Sequence, residues 1–334
     1  MGSDRKKVRL LREVGAAMGV PRSAVAGSPV VPKVGEYLLR VRAAATPSQL
    51  QRYRPYWRRA EEAFGRRRLD RVGVTDILGL KELSVARARV RANSRGGRYA
   101  GEACVRAMRL VFKLATLDGF VARESDPARK VALPRRLPST RRALQREEIA
   151  QLAQAVVTGG HDVALDSLLF RLHLETACRR GGALNLRLAD LDVQRCAVRL
   201  REKGSTHRWQ PVSPTLAAAL HEHAALRGAT RPGDALLRTT RHTPATGRRY
   251  DLLWKRVRAV LPWAASLGVS AHWLRHSTLT WVERSYSYAV ARAYAGHTDA
   301  KGAPTATYTK GLPVEVATAL ADYTGEAHPL AEAA

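Results

Sequence analysis

Six side chains able to do chemistry follow one another in a fixed order along the second half of the chain. They are Arg179 in TACRRGG, Lys203 in REKGST, His272 and Arg275 in HWLR, His297 in AGH, and Tyr308 in TATYT. As residue types they are complementary. A guanidinium grips an oxyanion through a planar fork, an imidazole exchanges protons near neutral pH, a turn amine is a mobile donor, and a phenol can attack as a covalent nucleophile. No single match means much here, because 47 of the 57 cations are Arg and a His-x-x-Arg spacing is expected about once by chance. The information lies in the order.

Charge states what such a set would act on. The chain has 334 residues and a formal charge of +28, a self-repulsion best relieved by a polyanion, which makes nucleic acid the leading partner. The excess is uneven: residues 1–150 hold 34 basic and 14 acidic side chains, against 23 and 15 in residues 151–334. The first part therefore reads as the stronger electrostatic clamp. A GC-rich coding sequence would explain Arg over Lys, but not cations over anions.

Membrane and metal classes fit poorly. No apolar run approaches the roughly 18 to 20 residues that span a bilayer, and MGSDRKKVRL has no apolar stretch after its charges, unlike a secretory signal. Cys104, Cys178 and Cys196 are odd in number and form no close pair, so reduced cytosolic thiols are expected. His221 and His223, at i and i+2 on an expected helix, point to different faces and make no zinc site.

The elements that must position the six residues can be read from periodicity. Residues 1–30 are basic, broken by Pro21 and Pro29, and read as an arm or accessory helix. Helical spacing then recurs in VGEYLLRVRAA, in SQLQRYRPYWRRAEEAF, from Leu83 to Ala92, and in GEACVRAMRLVFKLATLDGF. Residues 31–121 are accordingly expected to be an all-α domain. Three prolines amid Arg and Lys mark residues 122–142 as an extended basic linker. A second domain, residues 143–325, opens on REEIAQLAQAVV and ALDSLLFRLHLETA and includes LDVQRCAVRL and HRWQPV, two β-like runs joined by REKGST. Helical patterns fill YDLLWKRVRAVLPWA, HWLRHSTLTWVERS and VEVATALADY, and 326–334 is left as a tail. The fold class expected is mainly α with a small antiparallel β-sheet: an all-α domain followed by a mixed α/β domain.

The ordered boxes resemble the catalytic domain of the tyrosine recombinases, the phage integrase family. The likeness covers roughly residues 34–325 and is strongest from Leu174 to Gly311. It is carried by Thr176-Ala177-Cys178-Arg179-Arg180-Gly181 with ALNLRLADLD after it, by Ser270 to Ser277, by Ala295-Gly296-His297, and by Thr307-Tyr308-Thr309. Upstream, ESDPARKVALP and RALQREEIAQLAQA resemble the family's linker and the opening helix of its catalytic domain.

The resemblance implies a site-specific DNA recombinase that cuts and rejoins duplex DNA through a 3′-phosphotyrosyl intermediate, closing on the duplex with an α-helical core-binding domain and a catalytic domain. Tyr308 would be the nucleophile, and Arg179 and Arg275 would hold the nonbridging oxygens of the phosphorane-like transition state. Lys203 would protonate the leaving 5′ oxygen, while His272 and His297 would bond the scissile phosphate, His272 also taking the nucleophile's proton. Other tyrosines lie close in sequence: Tyr286, Tyr288, Tyr294 and Tyr323. The chemistry requires no metal or nucleotide cofactor.

As partners the resemblance implies double-stranded DNA, a homotetramer on two recombination sites, and an accessory directionality factor, in the bacterial or phage-infected cytoplasm. Two alternatives share the residue set: a type IB topoisomerase-like relaxing enzyme, and a catalytically weak DNA-binding regulator derived from a recombinase. The sequence departs from the family pattern at Gly182, where a Glu is usual, and in a longer interval from His297 to Tyr308. The apolar stripe Val316, Leu320 and Tyr323 after the nucleophile is expected to dock on a neighbouring protomer.

Overall fold

The computed structural model describes residues 30–88, 97–133, 141–202, 206–296 and 312–332. The arm at residues 1–29, Lys203, His297 and Tyr308 lie outside the described residues. The chain divides into two compact units, residues 1–138 and 139–334.

The first unit is helical. Helix α1 (Val34–Ala44) buries Val34, Tyr37, Leu38 and Val41, one face at i, i+3, i+4 and i+7. Helix α2 (Pro47–Phe64) starts on a reciprocal cap. Thr46 Oγ1 accepts from Gln49 N at 3.3 Å, and Gln49 Oε1 accepts from Thr46 N at 2.9 Å. Trp57 of α2 is fully buried, and its Nε1 donates to Ala107 O of α4 (Arg98–Leu117) at 3.2 Å, which keeps the indole's one polar group satisfied in the core.

Two expectations for this unit give way. Of the helix expected from Leu83 to Ala92, the first residues close α3, Val74–Ala86, ended at Arg87, and residues 89–92 lie outside the described residues. The segment expected as extended linker is ordered in its first half. There Asp126 Oδ1 accepts from Ala128 N and Arg129 N, capping the short α5 (Pro127–Lys130), and Ala128 and Val131 join the core of the first unit. Proline-rich composition registered the helix start at Pro127 as a break, but could not show that its neighbours had a core to fill.

The second unit begins with α6 (Arg146–Val157) and α7 (Val163–Thr176), followed by α8 (Arg180–Leu184) and an antiparallel sheet of three strands in the order β1 (Leu191–Asp192), β2 (Ala197–Glu202), β3 (Thr206–Pro211). The register pairs Val198 with Gln210, Arg199 with Trp209, and Glu202 with Thr206. Val198 and Leu200 face inward to the main core with α7 and α9 (Pro214–Leu226). On α9, His221 is exposed while His223 is buried and accepts from Arg238 N.

Helix α10 (Gly247–Val260) stops where Leu261 turns extended before Pro262, and α11 (Pro262–Leu267) restarts from that proline. Then come α12 (Ala271–Ser285), α13 (Tyr288–Ala295), α14 (Pro313–Thr324) and α15 (Pro329–Glu332). Helix α14 docks on its own unit: Val316, Ala319 and Leu320 pack with Val282, Val290 and Tyr294. The expected docking on a neighbour is therefore replaced by an intramolecular one. The residues beyond are also tied down. Glu326 accepts from Thr215 Oγ1 at 2.6 Å, and His328 Nε2 donates to Cys196 O at 3.0 Å.

Candidate active site

Helix α7 ends on a left-handed corner. Ala177 has φ 49° and ψ 24°, and Cys178 N donates to Thr176 Oγ1 at 3.2 Å. This corner sends the chain back so that Arg179 becomes the residue preceding α8. Arg179 lines a cavity of about 430 Å³ together with His272, Ser270, Arg180, Arg258 and Trp254. Two residues from boxes almost a hundred positions apart thus share one concavity.

His272 and Arg275 stand at i and i+3 in the first turns of α12, a spacing that puts both on one helix face. Arg275 is only 4% exposed. Its guanidinium donates to the carbonyl of Ala177 and, at 2.9 Å, to the carbonyl of Ala295. The first carbonyl belongs to the corner ahead of Arg179 and the second to the end of α13, directly before Gly296 and His297. One buried cation thereby joins three of the sequence boxes. Thr278 Oγ1 adds a bond to Leu174 O at 2.6 Å, and Ser277 Oγ accepts from Leu144 N at 2.8 Å, fixing α12 against α7 and the start of the unit.

Strand β3 reaches the same corners. Arg208 donates to Thr176 O, and its side chain passes so close to Gly296 that a Cβ there would lie 2.3 Å from Arg208 Nε. Gly296 also has φ +63°, a backbone conformation that favours glycine whatever the Arg208 side chain does. Beneath the hairpin, the fully buried carboxylate of Asp190 accepts from Arg199 Nε at 2.9 Å and Arg201 Nη2 at 2.6 Å. That clamp fixes the strand that leads to Lys203.

The electrostatics favour a neutral imidazole at His272. Burial pushes its pKa below the ordinary histidine value, and the charges of Arg141, Arg275, His276 and Arg179 push the same way. An imidazole held neutral can accept a proton. Of the neighbouring tyrosines, Tyr294 is fully buried, donates to Glu175 O, and has its phenol pushed well above the usual range by burial. Tyr286 donates to Asp322 and is raised to about 12, by burial first and by that hydrogen bond second. Tyr323 packs on Trp281 with ring centroids 4.8 Å apart, and Tyr288 lies under Arg292. None of the four faces the cavity of Arg179 and His272.

A profile of the phage integrase family matches residues 142–312. The chain belongs to this family. It is a tyrosine recombinase, and the site-specific DNA recombination expected from the ordered boxes is the activity of that class. Among curated relatives, tyrosine recombinase XerC of Pseudomonas fluorescens is 26% identical over 267 residues, spanning 79% of this chain and 86% of the relative. The XerC of P. fluorescens strain Pf0-1 is 28% identical over 273 residues, with the same coverage. In solved structures, the recombinase fold matches a lambda integrase tetramer bound to a Holliday junction, with a TM-score of 0.62 and 13% identity over 84% of this chain and 81% of that one. It also matches the Tn1549 transposon integrase in complex with transposon right end DNA, with a TM-score of 0.63 and 15% identity over 88% and 99% of the two chains.

Within the recombinase, the described part of the expected site is Arg179, His272 and Arg275; Lys203, His297 and Tyr308 lie outside the described residues. Sequence reading passed over Arg141, whose charge acts on His272, and Arg208, which packs on Gly296. Among 47 arginines neither carries a signal of its own. Gly182 is buried within α8, and Glu175, a buried carboxylate at the end of α7, accepts from Ser213 N at 2.8 Å and Arg171 Nε at 3.2 Å.

Proposed function

We propose that this recombinase cuts each DNA strand by attack of the Tyr308 phenolic oxygen on the scissile phosphorus, forming a 3′-phosphotyrosyl bond as the bond to the 5′ oxygen breaks. His272 accepts the phenolic proton and Lys203 gives one to the leaving 5′ oxygen. Arg179, Arg275 and His297 hold the nonbridging oxygens, whose charge grows in the transition state. A 5′ hydroxyl from the partner strand then attacks the phosphotyrosine, restoring a phosphodiester and the free tyrosine. The bond energy is conserved in the intermediate, so no nucleotide is consumed.

The observation that most supports this reading is the guanidinium of Arg275 joined to both Ala177 and Ala295. It ties the corners that lead to Arg179 and to His297. The cation excess of residues 1–150 suits duplex DNA held by the first unit and the residues that follow it. Double-stranded DNA is the partner, bound by four copies of the chain on two sites, with an accessory factor setting direction, in the cytoplasm of a bacterial or phage-infected cell. The lambda integrase neighbour, a tetramer on a Holliday junction, supports that assembly.

The test is covalent trapping from a library of nicked duplexes of random sequence, in which the released strand is too short to religate. Wild-type protein should retain DNA through denaturing detergent, and sequencing of the trapped strands gives the target. Tyr308→Phe should bind duplex as before and trap none. Trapping by that variant would move the nucleophile to another residue.

A further inference from the structure

The wall of the cavity beside Arg179 holds a buried polar chain that the strand-cleavage chemistry leaves unused. His173, in the last turn of α7, and Tyr250 of α10 are both almost wholly buried, and both border the cavity together with Arg179 and His272. Their rings meet edge to face with centroids 5.3 Å apart, and His173 Nε2 lies 2.7 Å from the Tyr250 hydroxyl. On the other side of the imidazole, Nδ1 lies 3.0 Å from the carbonyl oxygen of Cys178, with Cys178 Sγ 3.6 Å away.

Chemistry fixes the direction of both bonds. A carbonyl only accepts, so the proton of the neutral ring sits on Nδ1, and Nε2 is left to accept from the phenol. Burial pushes the Tyr250 pKa well above the usual range, which keeps that phenol a donor. The carbonyl held in this way belongs to the peptide that joins Cys178 to Arg179. In the peptide before it, Ala177 O accepts from Arg275, and in the peptide after it, Arg179 O accepts from Ala183 N at 3.1 Å. Planar peptides leave only φ and ψ free, so three anchored planes in succession fix the direction in which the Arg179 side chain leaves the backbone. From residue 176 to residue 189 the chain has no acidic side chain, and the segment that carries Arg179 brings no carboxylate of its own to aim it.

We infer that His173, oriented by Tyr250, is a positioning residue for Arg179: its Nδ1–H holds the Cys178 carbonyl and so sets the direction from which the guanidinium reaches the scissile phosphate. The inference rests on the role of Arg179 proposed above and deepens it. For packing alone an apolar side chain would serve better, since a buried imidazole and a buried phenol each cost free energy until they are hydrogen-bonded. What the pair adds is one N–H aimed at the last carbonyl before Arg179. A clamp on a transition state is sensitive to such aim, because a small misplacement of the clamping group lowers the rate steeply.

The test uses full-length protein. The imidazole nitrogen resonances of His173, assigned by their absence in His173→Asn, should show the proton on Nδ1 in the DNA-free protein; a bare Nδ1 with the proton on Nε2 overturns the inference. Covalent trapping is then timed in single turnover at saturating nicked duplex of random sequence, so that rate and affinity are read apart. His173→Leu should bind duplex as the wild type does and trap about tenfold more slowly. His173→Asn, whose amide N–H can take the place of Nδ1–H, should recover most of the rate. Tyr250→Phe should move the ring proton toward Nε2 and slow trapping in the same sense, and it stands in if His173→Leu does not fold. A wild-type rate in His173→Leu, or in Tyr250→Phe where the leucine variant is unfolded, overturns the inference. So does equal slowing in His173→Leu and His173→Asn, which assigns the effect to the bulk of the ring. Failure of the wild-type protein to trap any duplex would sink the recombinase reading itself, an outcome distinct from these because the nitrogen resonances are read without DNA.

Discussion

The guanidinium of Arg275 donates to the carbonyl of Ala177, the left-handed corner two residues ahead of Arg179. Its other terminal nitrogen holds the carbonyl of Ala295, two residues ahead of His297. A side chain expected to bind substrate oxygens is thus also a brace between the ends of α7 and α13, each two residues ahead of another expected site residue. Nitrogen atoms spent on carbonyls orient the fork, and orientation is what an electrostatic clamp on a transition state depends on.

Arg275→Lys keeps the charge but has no second nitrogen to span both carbonyls. Losing one charge-assisted bond in a buried place should cost about 2 kcal/mol in urea denaturation. Covalent trapping per folded molecule should fall by more than tenfold. A lysine variant with wild-type trapping would mean that the brace has no bearing on the site.

The corner itself offers a test in the opposite direction. Ala177 adopts φ 49°, a conformation in which an L side chain is disfavoured by about 1 kcal/mol relative to glycine. Ala177→Gly should raise the unfolding midpoint modestly. At Gly296, whose φ of +63° disfavours an L side chain, Gly296→Ala should lower stability by about 1 kcal/mol and reduce trapping. Both are read by thermal denaturation.

His272 sets a pH dependence whose sign follows from its depressed pKa. In the unfolded chain the imidazole titrates near its ordinary value, and in the folded protein it titrates lower, so between the two the unfolded state holds more protons. Its contribution to stability is complete above the ordinary value and is lost as pH falls through the window beneath it. The His272 imidazole resonance, assigned by its absence in His272→Gln, should titrate below pH 6.5, and single-turnover cleavage should fall on the same acid limb. A midpoint above 6.5 in the DNA-free protein would mean that His272 is not buried among those cations.

Helix α14 contributes Leu320, fully buried against Tyr294 and Val282 of its own unit. Leu320→Ala should therefore destabilise the isolated monomer by about 3 kcal/mol in denaturant. Truncation after Gly311 should lower its thermal midpoint in the same sense. Monomer stability unchanged by either would return the helix to a neighbouring protomer.

Affinity for duplex should fall steeply with salt, because each phosphate neutralised by the basic first part of the chain releases a counterion, at a slope of roughly 0.9 per contact. A titration of mobility-shift affinity against sodium chloride gives the slope directly. A nearly flat response would remove the electrostatic clamp.

Much of this architecture is legible in the sequence. VGEYLLRVRAA and REEIAQLAQAVV are helices over the residues their periodicity marks, and the two β-like runs around REKGST pair as expected, because amphipathic spacing and turn chemistry are local properties of a chain. The order of the boxes was likewise enough for the family. Other features were beyond the sequence. Residues 122–142 look like a linker broken by three prolines, yet Ala128 and Val131 fill a core built by helices far earlier in the chain.

The stripe of Val316 and Leu320 declares an apolar face without naming what covers it, since periodicity is the same whether the neighbour is intramolecular or not. The exposed Trp209 and the double anchor at Asp190 depend on strand register, which only pairing decides. Sequence determined which residues could do the chemistry and which local elements carry them. Tertiary structure alone decided that Arg275 would reach two backbone carbonyls nearly a hundred and twenty residues apart, because bringing those corners together is a result of packing and leaves no trace in local composition.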